Sequence, residues 1–308
     1  MARRKKFDDV HGWIVLDKPI EMTSTQAVAR LKKLAHANKC GHAGTLDPLA
    51  SGMLPIAFGE ATKTVSFVMD GTKIYRFTVR WGAQTTTDDT EGEVIASSDT
   101  RPTREAIEAI LPEFTGEILQ VPPKFSAIKI DGERAYDLAR DGEEVVLEAR
   151  PIEILDLALV ETPDADTAVF ECECGKGTYV RALARDMGLR LGTRGHVIAL
   201  RRVVVGPFEE EDLVPLAEIE KAAEDGGAEA VRALLSPVEA GLGEVTEVPV
   251  GRDAAARLRR GQSVILRGRD APADEDAVYA TCGGELVAIG EVAHGELVPR
   301  RVFVLGEE

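Results

Sequence analysis

Asp47 is the first residue in the sequence whose side chain could do chemistry. It lies in the segment CGHAGTLDPLASGML at residues 40–54, which places three glycines, a histidine and a threonine close to the carboxylate. A glycine-rich backbone can approach a ligand closely, and a carboxylate held there can act as a nucleophile or as a base. An aspartate before a proline is also a common turn or helix cap, and spacing alone favours that plainer interpretation.

Five further residues are candidates that spacing alone does not establish. Arg181 falls outside the apolar stripe of a predicted helix, where most arginines are solvated. Tyr75 shares an apolar strand face with other large residues, and Tyr179 falls at a helix edge, so both positions are typical of core tyrosines. His42 and Lys18 are single polar residues of the kind that usually lie on a surface.

Strands and helices that would position these residues can be predicted from hydrophobic periodicity. Strands are predicted at residues 12–18, 73–81, 167–174 and 197–205. In the second of these, Tyr75, Phe77, Val79 and Trp81 share one face. A capping box, Thr23 to Gln26, opens a helix, and residues 40–54 are predicted to form a loop with turn chemistry. A further helix is predicted from Val180, with Leu183, Ala184 and Met187 buried and Gly192 at its end.

The remaining segments indicate one large unit and one small one. A helix is predicted at 103–111, and residues 121–150 read as an irregular insertion with a short helix around 136–140. Residues 209–229 are acidic and alanine-rich, typical of a helix or linker. From residue 244, short β-like segments separated by turns predict a β-barrel of about 60 residues. We therefore expect a domain at 1–240 and another at 244–308.

The charge distribution of the chain is uneven. There are 37 Lys and Arg against 53 Asp and Glu, a net charge of −16, which by itself speaks against a nucleic-acid partner. Residues 175–202 nevertheless hold seven basic side chains and one acidic one. An acidic protein can bind a polyanion if its cations converge on one cleft, so phosphate contacts are expected from this basic segment.

Several classes of protein are disfavoured by composition. Hydrophobic residues make up 44% and charged residues 29%, an ordinary globular balance that argues against disorder. No run of 18 apolar residues predicts a membrane span, and the basic start of the chain is not followed by the apolar stretch of a secretory signal. The four cysteines are too few and scattered for a disulfide framework, and Cys172 and Cys174 lack a second pair for zinc. A cytoplasmic location is expected.

The motifs together resemble the TruB family of pseudouridine synthases. The resemblance is carried, in the family's order, by LDKP at 16–19, GHAGTLDPLASGMLP at 41–55, YRFTVRWG at 75–82, FSAIKIDGERAY at 125–136, GKGTYVRALARD at 175–186 and HVIALRR at 196–202. It implies an α+β pseudouridine-synthase fold. That fold is a long mixed, largely antiparallel sheet with flanking helices and a central RNA-binding cleft, followed by a small C-terminal PUA-like β-barrel.

The resemblance also implies roles for individual residues. Asp47 matches the family's nucleophilic aspartate, Arg181 the arginine that pairs with it, and Tyr75 the tyrosine that stacks on the target base. His42 matches the histidine that fills the space opened by base flipping. Tyr179 and Leu200 match further positions of the base pocket. Lys18 matches a basic position of the active-site rim, and Lys129 matches one of the RNA-clamping insertion.

The activity that this resemblance implies is isomerisation of the T-loop uridine of tRNA, at position 55, to pseudouridine. Because no electrons or groups enter or leave overall, neither a cofactor nor a metal is expected. The expected partner is the T-stem-loop of tRNA, with no DNA, no membrane and no obligate protein partner, and we expect a monomer. The alternatives are a guide-RNA-dependent relative, a non-catalytic RNA-binding adapter and a purely structural acidic protein.

Overall fold

The computed structural model describes residues 7–126, 147–266 and 274–306, together with the backbone of 129–130 and 133–134. The short helix predicted around 136–140 lies outside these residues. Within them, no helix is both long and apolar enough to cross a bilayer.

Strands predominate over helices in the described chain. The strands are β1 (Gly12–Lys18), β2 (Cys40–His42), β3 (Ser51–Phe58), β4 (Lys73–Trp81), β5 (Ala83–Thr85), β6 (Val94–Ser97), β7 (Gly116–Gln120), β8 (Lys129–Ile130), β9 (Glu133–Arg134), β10 (Arg150–Asp164), β11 (Thr167–Cys174), β12 (Gly195–Val205), β13 (Val214–Pro215), β14 (Thr246–Pro249), β15 (Val264–Ile265), β16 (Glu275–Cys282), β17 (Glu285–Ala293) and β18 (Glu296–Val302). The α-helices are α1 (Ser24–Leu34), α2 (Val65–Asp70), α3 (Arg104–Ile110), α4 (Val180–Arg190), α5 (Leu216–Arg232) and α6 (Arg252–Arg259).

A nine-stranded mixed sheet forms the larger unit. Its order is β13-β1-β3-β12-β4-β11-β10-β7, with β2 added alongside β3. The pairs β1–β13 and β3–β12 are parallel, and the other pairs are antiparallel. The predicted α+β class with a long, largely antiparallel mixed sheet is therefore confirmed. The order also places β3, β12 and β4 next to one another, and these strands carry or flank most of the candidate residues.

The two helices next to the candidate residues form for local reasons. At the start of α1, the Thr23 side chain accepts a hydrogen bond from the Gln26 amide while the Gln26 side chain accepts one from the Thr23 amide, which satisfies two otherwise unpaired donors. In α4 the predicted apolar stripe is buried, and Gly192 follows the helix at a φ of 71°. A side chain on Gly188 would lie 2.6 Å from the Gly195 amide, so glycine permits the close packing of α4 on β12.

The core lies between the sheet and the helices. Ile14, Leu31, Phe77, Phe170 and Met187 are among the residues buried in the main apolar cluster. The Phe77 and Phe170 rings stack with their centroids 5.4 Å apart, which ties β4 to β11 across the sheet. The predicted inward face of β4 is confirmed, because Phe77, Val79 and Trp81 are all buried.

The second unit is a five-stranded sheet of order β14-β16-β17-β18-β15 with α6 packed on it. Ala255 and Leu258 of α6 are buried against the apolar face of the sheet. This arrangement agrees with the predicted PUA-like β domain. Among the described residues, hydrogen bonds join it to the rest of the chain: the Lys63 ammonium donates to the Val302 carbonyl at 2.8 Å, the Val304 amide donates to the Glu60 carboxylate at 3.0 Å, and the Arg301 guanidinium donates to the Lys63 carbonyl.

Two segments differ from the sequence prediction, residues 40–54 and helix α6, and for a third, residues 209–229, the structure decides between helix and linker. Residues 40–54 are a loop only in their middle, because Cys40–His42 form β2 and Ser51 begins β3, whose last residues, Ile56 to Phe58, pair with β2. The acidic stretch at 209–229 becomes a short 3₁₀ turn and then α5, which runs to residue 232 with a kink at Gly227. Helix α6 was not predicted, because its apolar residues are few and four arginines surround them.

Candidate active site

Asp47 lies in the loop between β2 and β3, and this loop is anchored on both sides of the carboxylate. The Ser24 hydroxyl of α1 donates to the Leu46 carbonyl at 3.0 Å and accepts from the Leu46 amide at 2.9 Å. On the other side, the Glu21 amide donates to the Pro48 carbonyl at 2.7 Å. The Asp47 side chain is 33% exposed, so the carboxylate is held in place yet remains reachable from solvent.

Arg181, in the first turn of α4, is the direct partner of Asp47. Its Nε atom lies 2.8 Å from Asp47 Oδ2, and its side chain is only 6% exposed. The two terminal nitrogens donate to the carbonyls of Thr87 and Phe125, each at 3.0 Å. The plainer expectation of a solvated arginine is therefore wrong. The guanidinium is fixed from several sides, so it can hold the Asp47 carboxylate in one orientation.

Asp89 is a second carboxylate on Arg181 that the sequence analysis missed. Its Oδ2 lies 3.4 Å from Arg181 Nη1, and its side chain is 2% exposed. Its other oxygen accepts from the Thr87 hydroxyl and from the Glu91 amide. The run of threonines and aspartates after β5 is the sequence signal that could have pointed to it. A buried arginine shared by two carboxylates resists rotation away from Asp47.

Tyr75 lies on β4, directly opposite Cys172 of β11 and Arg202 of β12. Burial raises the pKa of its hydroxyl, whereas the nearby Arg202 guanidinium acts in the opposite direction. The Asp47 carboxylate is close enough to disfavour a negative charge on the phenol oxygen. The ring is packed against the main core cluster, so its orientation is set by the sheet.

Tyr179 lies close enough to Asp47 for its phenol to feel that carboxylate, and Leu200 lies on the strand next to that of Tyr75. The buried Gln120 side chain binds both backbone groups of Tyr179: its oxygen accepts from the Tyr179 amide at 2.9 Å, and its nitrogen donates to the Tyr179 carbonyl at 3.2 Å. Burial raises the pKa of the Tyr179 phenol. Leu200 is buried on β12 opposite Phe77. Gln120 is another residue that the sequence analysis did not identify.

Lys18 is buried, so the plainer expectation of a surface position is wrong, while its match to the active-site rim stays a prediction. Its side chain is fully buried, and its ammonium donates to the carbonyls of Pro19 and Met22, each at 2.8 Å, and to that of Pro48 at 3.5 Å. Burial lowers its pKa to about 8, and the neighbouring Asp47 carboxylate opposes that shift. The ammonium therefore holds the Asp47 loop through the carbonyl of Pro48.

His42 and Lys129 are located by the strands that carry them. His42 ends β2, where it pairs with Ile56 and is half-buried, so the histidine and Asp47 lie on the same connection between β2 and β3. Lys129 lies in β8, and its side chain is outside the described residues.

The basic segment 175–202 is largely engaged within the protein. Arg185 pairs with Asp88 and Asp186, Arg190 with Glu113, and Arg201 with Asp17. Lys176 pairs with Asp70, and Arg202 is buried. Most members of the segment are therefore paired or buried, although Lys176 and Arg190 remain exposed within their pairs. Apart from Asp186, the carboxylates that pair with the segment come from distant parts of the sequence, and its expected phosphate contacts stay a prediction.

No metal site is evident in the part of the chain that the structure describes, where no group of three or more histidines, cysteines or carboxylates converges. Cys172 and Cys174 are both buried on the inner face of β11, as their alternation predicts. Burial raises the pKa of Cys40 to about 12, so this thiol is protonated at neutral pH.

Three protein-family models match successive parts of the chain. Residues 32–180 match the model described as TruB family pseudouridylate synthase (N terminal domain). The chain belongs to the TruB family of pseudouridine synthases. Two C-terminal models follow: tRNA pseudouridylate synthase B C-terminal domain over 181–243, and Pseudouridine synthase II TruB, C-terminal, over 246–303.

Relatives with these domains share more than half of their residues with the chain. A tRNA pseudouridine synthase B of Bradyrhizobium diazoefficiens is 63% identical over 98% of this chain and 88% of its own length. One of Agrobacterium fabrum is 57% identical over 98% and 97%. Among solved structures, a chain in "Structure of H/ACA RNP bound to a substrate RNA containing 2'-deoxyuridine" is 26% identical, covers 96% and 86%, and superposes with a TM-score of 0.75. The pseudouridine-synthase fold is thereby confirmed.

Proposed function

We propose that this chain isomerises a uridine of tRNA to pseudouridine, and that the uridine is the T-loop residue at position 55. The observation that carries the proposal is the Asp47–Arg181 ion pair at 2.8 Å, beside Tyr75, in a member of this family. The named relatives are tRNA pseudouridine synthases B, which supports the choice of tRNA as substrate.

The reaction breaks the C1′–N1 bond of the uridine and makes a C1′–C5 bond to the same base. A carboxylate beside the sugar can add to it covalently or remove a sugar proton, and Asp47 is placed and exposed for either step. Arg181 holds that carboxylate against the reacting centre. Overall, C5 loses one proton and N1 gains one, so the balance requires neither a redox partner nor a transferred group.

Tyr75 offers the base an aromatic face for stacking and a phenol oxygen that can take up a proton. Stacking of the uracil on an aromatic face contributes about 1–3 kcal/mol, which helps to keep the detached base in the pocket. The phenol oxygen of Tyr75 can accept the proton that leaves C5, since both the Asp47 carboxylate and the Arg202 guanidinium lie close enough to act on that phenol. Leu200 and Tyr179 provide apolar walls, while His42 enters the space that the flipped base vacates.

RNA binding is assigned to cations that remain exposed. Lys124 and Arg150, at the two ends of the insertion 121–150, are exposed and form no ion pair with a described carboxylate. The same holds for four arginines of the C-terminal unit, Arg252, Arg257, Arg259 and Arg260. We assign catalysis to residues 1–240 and a supporting RNA contact to residues 244–308, with Lys129 adding to the contact from the insertion.

The proposal is tested with a T-stem-loop RNA and purified protein, with no other RNA present. Pseudouridine formed at the uridine that matches position 55, and missing from tRNA of cells that lack the protein, is the expected result. A requirement for a second, guiding RNA would instead support the second candidate, to which the likeness to the H/ACA chain points. Binding without any product would leave an RNA-binding adapter.

A further inference from the structure

Arg202 is a buried cation of the candidate site to which the mechanism so far gives no role. Its side chain is 2% exposed, one of the largest fully buried side chains in the protein. Within the described residues it forms no ion pair with a carboxylate, unlike Arg181, Arg185 and Arg201. Removing a charge from water is costly unless it is fully hydrogen-bonded or paired, so this position calls for a physical reason.

Its nitrogens grip the loop that carries Asp47. Arg202 Nε donates to the Met53 carbonyl at 2.8 Å, Nη2 to the Gly44 carbonyl at 3.2 Å, and Nη1 to the Thr45 carbonyl at 3.3 Å. These carbonyls lie on both sides of Asp47 in the sequence. One guanidinium thus ties the two ends of the catalytic loop to β12.

The sheet brings the same side chain to Tyr75. Arg202 is directly opposite Tyr75 in the antiparallel pair β12–β4, a position in which side chains lie on one face about 4.5–5.5 Å apart at Cβ. The guanidinium is close enough to the Tyr75 hydroxyl to act against the rise in its pKa that burial causes. On its other side, β12 approaches Gly52 of β3 so closely that a side chain there would lie 2.3 Å from the Arg202 carbonyl, and Gly52 has a φ of 96°.

A negative charge that forms only during the reaction would account for a buried cation with no carboxylate. After the C1′–C5 bond has formed, C5 must give up its proton: the C5–H electron pair becomes the C5=C6 double bond, the C6=N1 π pair moves onto N1, and N1 takes up a proton from solvent. A neutral phenol is a poor acceptor for the C5 proton, whereas a phenolate, formed when the phenol releases its own proton to solvent, is a good one. A preorganised cation beside the phenol oxygen stabilises that anion without rearrangement.

We propose that Arg202 is a positioning residue, whose guanidinium locks the Tyr75 hydroxyl against the Asp47 loop and provides the fixed positive charge for the Tyr75 phenolate. The inference deepens the proposed function and rests on it for its kinetic consequence. Its electrostatic consequence can be measured without any RNA, so the two can fail separately.

The test replaces Tyr75 by a fluorinated tyrosine, whose more acidic phenol titrates in an accessible pH range, and follows its ¹⁹F resonance in the full-length protein. Wild type, Arg202→Met and Arg202→Lys are compared, with Arg201→Met as the matched control one residue away. We expect Arg202→Met to raise the pKa of residue 75 by about one unit or more, Arg202→Lys to raise it less, and Arg201→Met to leave it unchanged.

The kinetic readout uses T-stem-loop RNA with natural Tyr75. Arg202→Met is expected to lower kcat by about 10²-fold with little change in KM, whereas Arg202→Lys should recover part of the loss. Identical titration of residue 75 in wild type and folded Arg202→Met would overturn the proposal. So would failure of both variants to fold, since Arg202 would then serve the fold alone. If wild type makes no pseudouridine, the proposed function fails while the titration result stands.

Discussion

Two arginine-rich regions of this protein use the same side chain in opposite ways. In segment 175–202 two arginines turn inward: Arg181 holds Asp47 and Asp89, and Arg202 holds three carbonyls of the catalytic loop. In the acidic C-terminal unit, the three arginines of α6 and Arg260 directly after it are exposed and pair with no carboxylate among the residues described. The first set builds the site, and the second set is available to a polyanion.

A local charge count therefore identifies a basic segment but does not show which of its charges are available to a ligand. Segment 175–202 looked like the RNA-binding surface because it holds seven cations and one acid. Folding then brought Asp17, Glu113, Asp88 and Asp70 to four of these cations. The first four predictions below test the site that the inward arginines help to build, and the last tests the outward set.

Replacing Asp47 should have the largest effect. Asp47→Asn keeps the shape of the side chain and removes the charge that the chemistry needs, so we expect isomerisation to fall by about 10³-fold or more while tRNA affinity stays within about tenfold. Single-turnover assays and filter binding measure the two quantities. Asp99→Asn, an exposed aspartate outside the site, is the control. Turnover by Asp47→Asn at a tenth of the wild-type rate would refute its assignment.

Tyr75→Phe separates stacking from proton transfer. If the hydroxyl accepts the C5 proton, activity should fall by about 10²–10⁴-fold and a rearranged, still-protonated product should accumulate. Tyr75→Leu should be poor on either account, because face and hydroxyl are both lost. A near-wild-type rate for Tyr75→Phe would leave the tyrosine as a stacking platform and require another base, either water or Asp47 itself.

Arg181→Met should destabilise the fold as well as the reaction. Because Asp89 would be left as a buried carboxylate without its arginine, we expect a loss of about 3–5 kcal/mol in the free energy of unfolding. Arg190→Met on the same helix breaks an exposed pair with Glu113 and should cost about 0–1 kcal/mol. Denaturant titrations measure both. Equal losses would mean that burial does not distinguish the two ion pairs.

Lys18 should give a pH-dependent contribution to stability. Its pKa is about 8 in the folded protein against 10.5 when unperturbed, so between these values the unfolded state binds more protons and stability rises with pH. From pH 8 to 10.5, wild type should gain up to about 3 kcal/mol relative to Lys18→Met, in which this group is missing. Parallel unfolding curves of the two proteins across that range would show that Lys18 keeps an ordinary pKa.

Sequence patterns were enough to predict local elements, because capping boxes, alternation and apolar stripes are local signals. The Thr23 cap of α1, the inward face of β4 and the end of α4 at Gly192 all follow from neighbouring residues. The buried position of Lys18 and the Asp89–Arg181 contact could not be predicted from neighbouring residues, since their partners are set by the order of strands in the sheet. The resemblance to a family added the position of Asp47, which spacing alone left as a turn residue.

The outward set is tested by its salt dependence. Each phosphate contact made to single-stranded or loop RNA contributes about 0.7 to the slope of log K against log salt, and up to about 0.9 for a duplex. We expect Arg257→Gln and Arg260→Gln together to weaken tRNA binding and to lower that slope by about 1–2. Replacing Arg190 by Gln removes a guanidinium that Glu113 already engages, so Arg190→Gln should leave the slope unchanged.

An isolated T-stem-loop should bind wild type and the double variant equally if α6 contacts a more distant part of the tRNA. If full-length tRNA gives the same slope with and without the two α6 arginines, exposure alone does not make them RNA ligands. The phosphate contacts would then fall to Lys124 and Arg150, the exposed cations at the ends of the insertion.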